Sequence, residues 1–494
     1  MSSVGQWRPK KVSVRPDDIT PIMAFRGELE GALTHVALEP KPHHMASVFG
    51  FTSADDAVTW TVAVPEADEY SVAIIYRTTE AGSVYEFTAN GTRLTGTTVN
   101  TSPEANWQLN CTRDWVSGLL PLKAGMNRIT LRLKKFAGRQ KELAKAELAR
   151  GGWGGVRYKG NEPCSFRVWS VELVRPEAMK AIQERAGKMR ASTDWMVEGK
   201  YGLFIHWSPL SWPLKGDKMR YQDAVDLFDV EAFADVVEET GAAWLFLTTT
   251  HGTHHFPGPI EAIDRVMPGL TCERDLVAEI ADGLENRGIR LLLYYHMGMD
   301  DGEWAKAVGY WKADKSGWFD NVCAIQTEIN ERYGKKTWGW FIDDAHKWYY
   351  PCDFPWERFT KALKAGNPGR LIAYNPGTRP SVTPFGDLLA SDNGANLRPV
   401  MPEKYFTRQY PGLLQHYSFT LERGWVIKGK PTEGFTDPVH EAGALIDYIR
   451  ECDDADVPLS MNMLITQDVT RKQPFVNPKT LTLMKELRRA IRGK

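Results

Sequence analysis

The 494-residue sequence has no long apolar run: nothing in it approaches the ~18 consecutive apolar residues that a membrane-spanning helix needs. Its opening stretch, MSSVGQWRPKKVSVRPDD, lacks the apolar segment of a secretory leader, so a cytoplasmic location is expected. Cysteine is scarce and scattered, six in all with no C-x-x-C pair, a pattern that suits reduced thiols and not a disulfide framework. An excess of one charge is also missing: 61 Lys and Arg stand against 62 Asp and Glu, which gives no basic face for a nucleic-acid partner. What the chain does have is an ordinary core-forming composition, 43% hydrophobic and 25% charged. It is also rich in rings, with 18 Trp, 17 Tyr and 20 Phe. Aromatic faces stack on the C–H surfaces of sugars, although large cores use them as freely.

Residues 1–175 read as a β-sandwich. AVTWTVAV (57–64), YSVAIIYRT (70–78), SVYEFTANGTRL (83–94), NRITLRLKK (127–135) and SFRVWSVELV (165–174) alternate or run β-branched, and Asn90-Gly91 is a strong hairpin-turn signal. Residues 176–200 are charged and helix-prone, which suits a connector. From 201 to 494 short apolar runs alternate with amphipathic stretches, the signature of parallel βα units. Eight strands are expected, at 201–207, 244–250, 290–296, 338–343, 370–375, 387–392, 413–418 and 458–464, with helices at 272–287, 440–453 and 477–491 among the connections. Eight such units in about 300 residues predict a (β/α)₈ barrel.

Active sites of these barrels lie at the C-terminal ends of the strands, and the polar residues of this chain gather there. The expected strands are closed by His206-Trp207, by His251 with His254 and His255 just beyond, by Tyr295-His296, and by Asp343-Asp344, with His346 following. A single histidine in such a place is most often a hydrogen-bonded core residue; five near one rim point to a site. His416 lies within the seventh expected strand. Asp343 ends the apolar run Trp340-Phe341-Ile342, which would deliver its carboxylate to the rim with one side dry. A carboxylate there can attack an anomeric carbon or stabilise positive charge on it; its bland alternative is a helix cap.

Several segments resemble the α-L-fucosidases, family 29 of the glycoside hydrolases. KYGLFIHW (200–207) resembles their KFGIFIHWG opening, LTTTHGTHHF (247–256) their LTTKHHDGF, and LLLYYH (291–296) their GLYYS. GWFIDD (339–344) is similar to GIWFDG, and DVPLSMNMLITQDVTRK (456–472) to the GGNLLLNIGPTPDG ending. The resemblance implies a retaining double displacement on a terminal sugar, with no metal or other cofactor and a carbohydrate as partner. It places the nucleophile on Asp343, and sugar contacts on His206, Trp207, His251, Tyr295 and Trp425, with His254, His255, His296 and His416 as further candidates.

The chain departs from the family where Thr250 replaces a Lys, Gly252 a His and His296 a Ser. Where the family carries its acid/base Glu, this chain has Gln415-His416-Tyr417. Glu433, in the loop GKPTEGF, is the expected proton donor, with Asp392, Glu403, Glu422 and His416 as alternatives. The family's β-sandwich normally follows the barrel; here one precedes it and resembles a carbohydrate-binding module. Two other readings stay open: a metal-dependent hydrolase built on His206, His251, His254, His296 and Asp343, and a barrel that binds glycans without cleaving them.

Overall fold

A computed structural model describes residues 11–36, 46–101, 111–151, 162–299, 301–345, 354–376, 380–397, 400, 410–427 and 435–493. Glu403, Glu433 and His346 lie outside the described residues.

The N-terminal part consists of a six-stranded and a seven-stranded sheet packed face to face. Ala57–Val64 and Gly125–Lys135 are the long strands of the first, Asp68–Arg77 and Arg167–Val174 of the second. Alternation supplies the core: Val58, Trp60 and Val62 from one sheet meet Val72, Ile74 and Tyr76 from the other. The Asn90-Gly91 hairpin has φ of 51° and 87°, the paired positive values that a type I′ turn demands. One element departs from expectation. Gln140–Arg150 is helical, with Gln140, Ala144 and Glu147 forming its buried stripe.

The barrel is closed and wholly parallel, with eight strands in sequence order. They run Tyr201–Ile205, Trp244–Thr248, Arg290–His296, Thr337–Asp343, Leu371–Tyr374, Leu388–Asp392, Leu414–Thr420 and Leu459–Asn462. Within each strand, alternate positions part across the wall. Phe204, Phe246, Leu292, Tyr294, Phe341, Ala373 and Ala390 fill the interior, while Ile205, Leu247, Tyr295, Trp340, Ile342 and Tyr417 pack outward on the helices. A Cβ on Gly202 would meet the Trp244 indole at 2.4 Å, so the first strand needs glycine at this point.

The helix ring is uneven. Among the described residues no helix joins the fifth strand to the sixth, or the sixth to the seventh. The outer side of the wall there is covered by the connector helix Pro176–Met189, whose Ala178, Ile182 and Ala186 pack with Phe385, Leu389 and Leu413 of the barrel and Ile19 and Val174 of the sandwich. The sandwich also reaches the barrel directly. Arg113, wholly buried and paired with Glu172 at 2.9 and 3.2 Å, donates to the Ser381 carbonyl at 2.7 Å and lies 4.1 Å over the Tyr410 ring. No described helix is long and apolar enough to cross a membrane.

Candidate active site

Asp343 ends the fourth strand on the same face as Phe341, so the pleat turns its side chain into the barrel mouth. It is half-buried and held from both sides. Tyr294 Oη donates to its Oδ2 at 2.6 Å, and Asn375 Nδ2 donates to its Oδ1 at 2.6 Å. These bonds come from the neighbouring strands on either side, so the carboxylate is fixed by the wall itself. Tyr294 Oη in turn meets His251 Nδ1 at 2.8 Å. Burial first, then the Asp343 carboxylate, push the Tyr294 phenol well above its usual range, so it remains a donor.

A second group of side chains adjoins the first. His206 Nδ1 lies 2.8 Å from Asn462 Oδ1, while Asn462 Nδ2 donates to the Trp425 carbonyl at 3.1 Å. The His206 ring stacks on Phe204 at 4.9 Å and has Trp425 at 5.2 Å and His251 at 5.3 Å. Burial, reinforced by His251, lowers its pKa to about 3, so the imidazole is neutral across ordinary pH. Beyond it, His296 Nε2 pairs with Asp344 Oδ2 at 3.0 Å. Asp344 has φ of 52°, which lets it turn back toward the rim beside its strand.

The strand register sets the height of each group. Thr248 pairs with Tyr294 and Tyr294 with Phe341, two positions below Asp343. Ala373 pairs with Leu388, two positions below Ala390, and Asp392 pairs with Ser418, which pairs with Ser460. An eight-stranded barrel staggers by about one residue per strand, and its interior layers take side chains from alternate strands. On that stagger Thr248, Asp343, Asp392 and Asn462, from the second, fourth, sixth and eighth strands, form one layer at the mouth.

Several expected contacts are not in this layer. Tyr295 points outward and packs near Trp340 and His254; its neighbour Tyr294 is the inward tyrosine. Trp207 is buried outside the wall against Tyr221 and Phe228, with its Nε1 donating to the Gln467 carbonyl at 3.0 Å. His254 is buried and stacked on Trp304 at 4.3 Å, and His255 faces Thr253 and Tyr221. His416 is inside the barrel but low, 2.9 Å from Ser460 Oγ, and burial lowers its pKa to about 3. Glu422 is wholly buried, accepting from Thr480 Oγ1 at 2.7 Å and Leu464 N at 3.1 Å.

The structure thus brings together Asp343, His206, His251, His296 and Trp425, and adds Tyr294, Asn375 and Asn462, which sequence reasoning passed over. Asn375 and Asn462 close apolar strand runs as Asp343 does, which was the available signal. For the metal-dependent reading, no group of three His, Cys, Asp or Glu side chains among the described residues could hold a metal ion. The histidines of the mouth instead commit nitrogens to Asn462, Tyr294 and Asp344.

A family profile described as alpha-L-fucosidase matches residues 216–378. The tissue alpha-L-fucosidase of Macaca fascicularis is 25% identical over 240 residues, covering 33% of this chain and 50% of that protein. The human enzyme of the same name is 29% identical over 135 residues, covering 21% and 29%. The chain spans about half the length of the first curated relatives it matches. Among solved structures, alpha-L-fucosidase isoenzyme 1 from Paenibacillus thiaminolyticus superposes with a TM-score of 0.44 at 15% identity, covering 62% of this chain and 76% of that one. The matched stretch carries the second to fifth barrel strands with Tyr294, Asp343 and Asn375, and there the chain resembles the α-L-fucosidase family.

Proposed function

We propose that the chain is an exo-acting, retaining glycoside hydrolase that removes a terminal α-L-fucose-like sugar, with Asp343 as its nucleophile. The observation that carries this reading is the Asp343 carboxylate, aimed into the barrel mouth and held by Tyr294 and Asn375. Two donors on a carboxylate fix its direction without removing it from the mouth, and preorganisation of this kind is what a nucleophile needs. In the first step a carboxylate oxygen bonds to the anomeric carbon as the bond to the leaving oxygen breaks; in the second, water displaces the carboxylate. Neutral His206, together with His251 and Trp425, would bind the sugar by hydrogen bonds and ring contact.

The test is a panel of aryl glycosides that includes 4-nitrophenyl α-L-fucoside, run with the wild-type chain and Asp343→Gly. The wild type should turn over the fucoside and the variant should not. Azide added to the variant should enter from the vacated side and give a fucosyl azide of inverted configuration. Retention of near-wild-type turnover by Asp343→Gly would remove Asp343 from the role.

A further inference from the structure

On the glycosidase reading above, Asp343 needs a second group that gives a proton to the leaving oxygen and takes one from water. The described residues narrow the field. Glu422 is sealed against Thr480 and Leu464, and His416 sits low in the barrel on Ser460. Asp344 is engaged by His296.

Asp392 stands apart from these by its place in the barrel. It is the last residue of the sixth strand, on the face that Leu388 and Ala390 present to the interior. The register and stagger place it level with Asp343, two strands away, and the side chains of one layer meet around the barrel axis. It is exposed at the mouth, and Gly394 N donates to its Oδ1 at 3.1 Å, which orients the carboxyl as the chain leaves the strand. Beyond burial, the Asp343 and Asp392 carboxylates both push the Tyr294 phenol up, Asp343 the more strongly. We propose that Asp392 is the proton-transfer residue of this barrel, facing Asp343 across the mouth from the end of the sixth strand.

The chemistry balances with these two carboxyls alone. The Asp392 proton passes to the glycosidic oxygen while the anomeric C–O bond breaks and an Asp343 oxygen bonds to that carbon. Water then attacks the carbon, Asp392 takes its proton, and the bond to Asp343 breaks, which restores both groups.

The experiment compares Asp392→Asn, Glu433→Gln and wild type on α-L-fucosides whose aryl leaving groups run from 4-nitrophenol to phenol. For Asp392→Asn, kcat/KM should fall about 10²-fold or more on the phenyl fucoside and far less on the nitrophenyl one, the range for loss of a general acid. The alkaline limb of its pH profile should disappear, and azide should give a fucosyl azide of unchanged configuration. Asp392→Ser with added formate is a second route, and should recover part of the rate. An equal loss on every substrate, no loss, or the leaving-group pattern in Glu433→Gln would overturn the proposal while leaving Asp343 in place. A wild type that turns over no glycoside would overturn the glycosidase reading and this proposal together.

Discussion

Tyr294 donates to Asp343 across adjacent strands at 2.6 Å, and the same phenol oxygen meets His251 at 2.8 Å. One hydroxyl therefore links the carboxylate of the fourth strand to the loop after the second. Tyr294→Phe keeps the ring between Phe204 and Phe341 and removes only this link. Loss of a preorganised donor to a charged reacting group costs about 10²–10³-fold, so kcat/KM on a fucoside should fall by that order with the melting temperature nearly unchanged. Tyr295→Phe, one residue along and outside the wall, should leave kcat/KM close to wild type. Equal effects of the two variants would contradict the assignment.

That pair of neighbours also shows how far the sequence could be read. The first five strands were legible because they are short runs rich in Leu, Ile, Phe and Tyr, and parallel strands buried on both faces give that signal; the sixth and seventh, LLASD and LQHYSFT, are more polar and mark themselves less. The same property hid which residues face inward. A strand that is apolar on both sides has no alternation to reveal its register, so Tyr294 and Tyr295 look alike, and Trp207 looks as available as His206. Asp343 was legible because it is the first carboxylate after an unbroken apolar run. Asn375 and Asn462 close their strands equally well, but a neutral amide draws less notice. The helix Gln140–Arg150 was missed because its stripe is built from Gln, Ala and Glu, which no apolar periodicity marks. The polar partners explain that stripe: Glu147 pairs with Arg167 at 3.2 Å and accepts from Ser165 N at 2.9 Å.

The sandwich is joined to the barrel by Arg113, which leads to a stability prediction. Both members of its ion pair with Glu172 are fully buried, and Ser381 and Tyr410 complete the surroundings of the guanidinium. Removing one partner of such a pair strands a buried charge, at a cost of about 3–5 kcal/mol. Arg113→Met should lower the urea midpoint accordingly. Arg113→Met combined with Glu172→Gln should recover most of the loss, because no uncompensated charge is left. An additive double variant would show that the pair is not coupled as its geometry implies.

Acid should destabilise the protein through its buried histidines. Burial lowers the pKa of both His206 and His416 to about 3 from an ordinary 6.5. The unfolded chain takes up these protons first, so the contribution to stability is complete above pH 6.5 and is lost as pH falls from 6.5 toward 3. Each ring supplies a slope of up to about 1.4 kcal/mol per pH unit in that window. Urea unfolding at pH 7 and pH 5 should show the fall, and His416→Gln should flatten it. Wild type and His416→Gln that lose stability in parallel over this interval would rule out neutral burial of that ring.

Glu422 should act on the opposite limb. Its carboxyl is wholly buried behind the mouth, and desolvation raises its pKa to about 7 against the opposing bonds from Thr480 and Leu464. A group whose folded pKa lies above its unfolded value of 4.5 contributes fully below pH 4.5. That contribution is lost as pH rises through about 7, where the folded state must carry the buried charge. Glu422→Gln keeps the shape and carries no charge. Its amide can donate to the Thr480 hydroxyl while its carbonyl accepts from Leu464 N, so both existing contacts have a counterpart. The variant should therefore gain stability relative to wild type between pH 5 and pH 8, by up to about 3 kcal/mol from the size of the shift. Paired urea titrations at the two pH values measure the change directly. Because Thr480 belongs to the C-terminal helix Pro478–Arg492, the wild-type loss at high pH should show first as faster hydrogen exchange in that helix. A gap between variant and wild type that stays constant from pH 5 to pH 8 would mean that Glu422 does not titrate in the folded protein in this range.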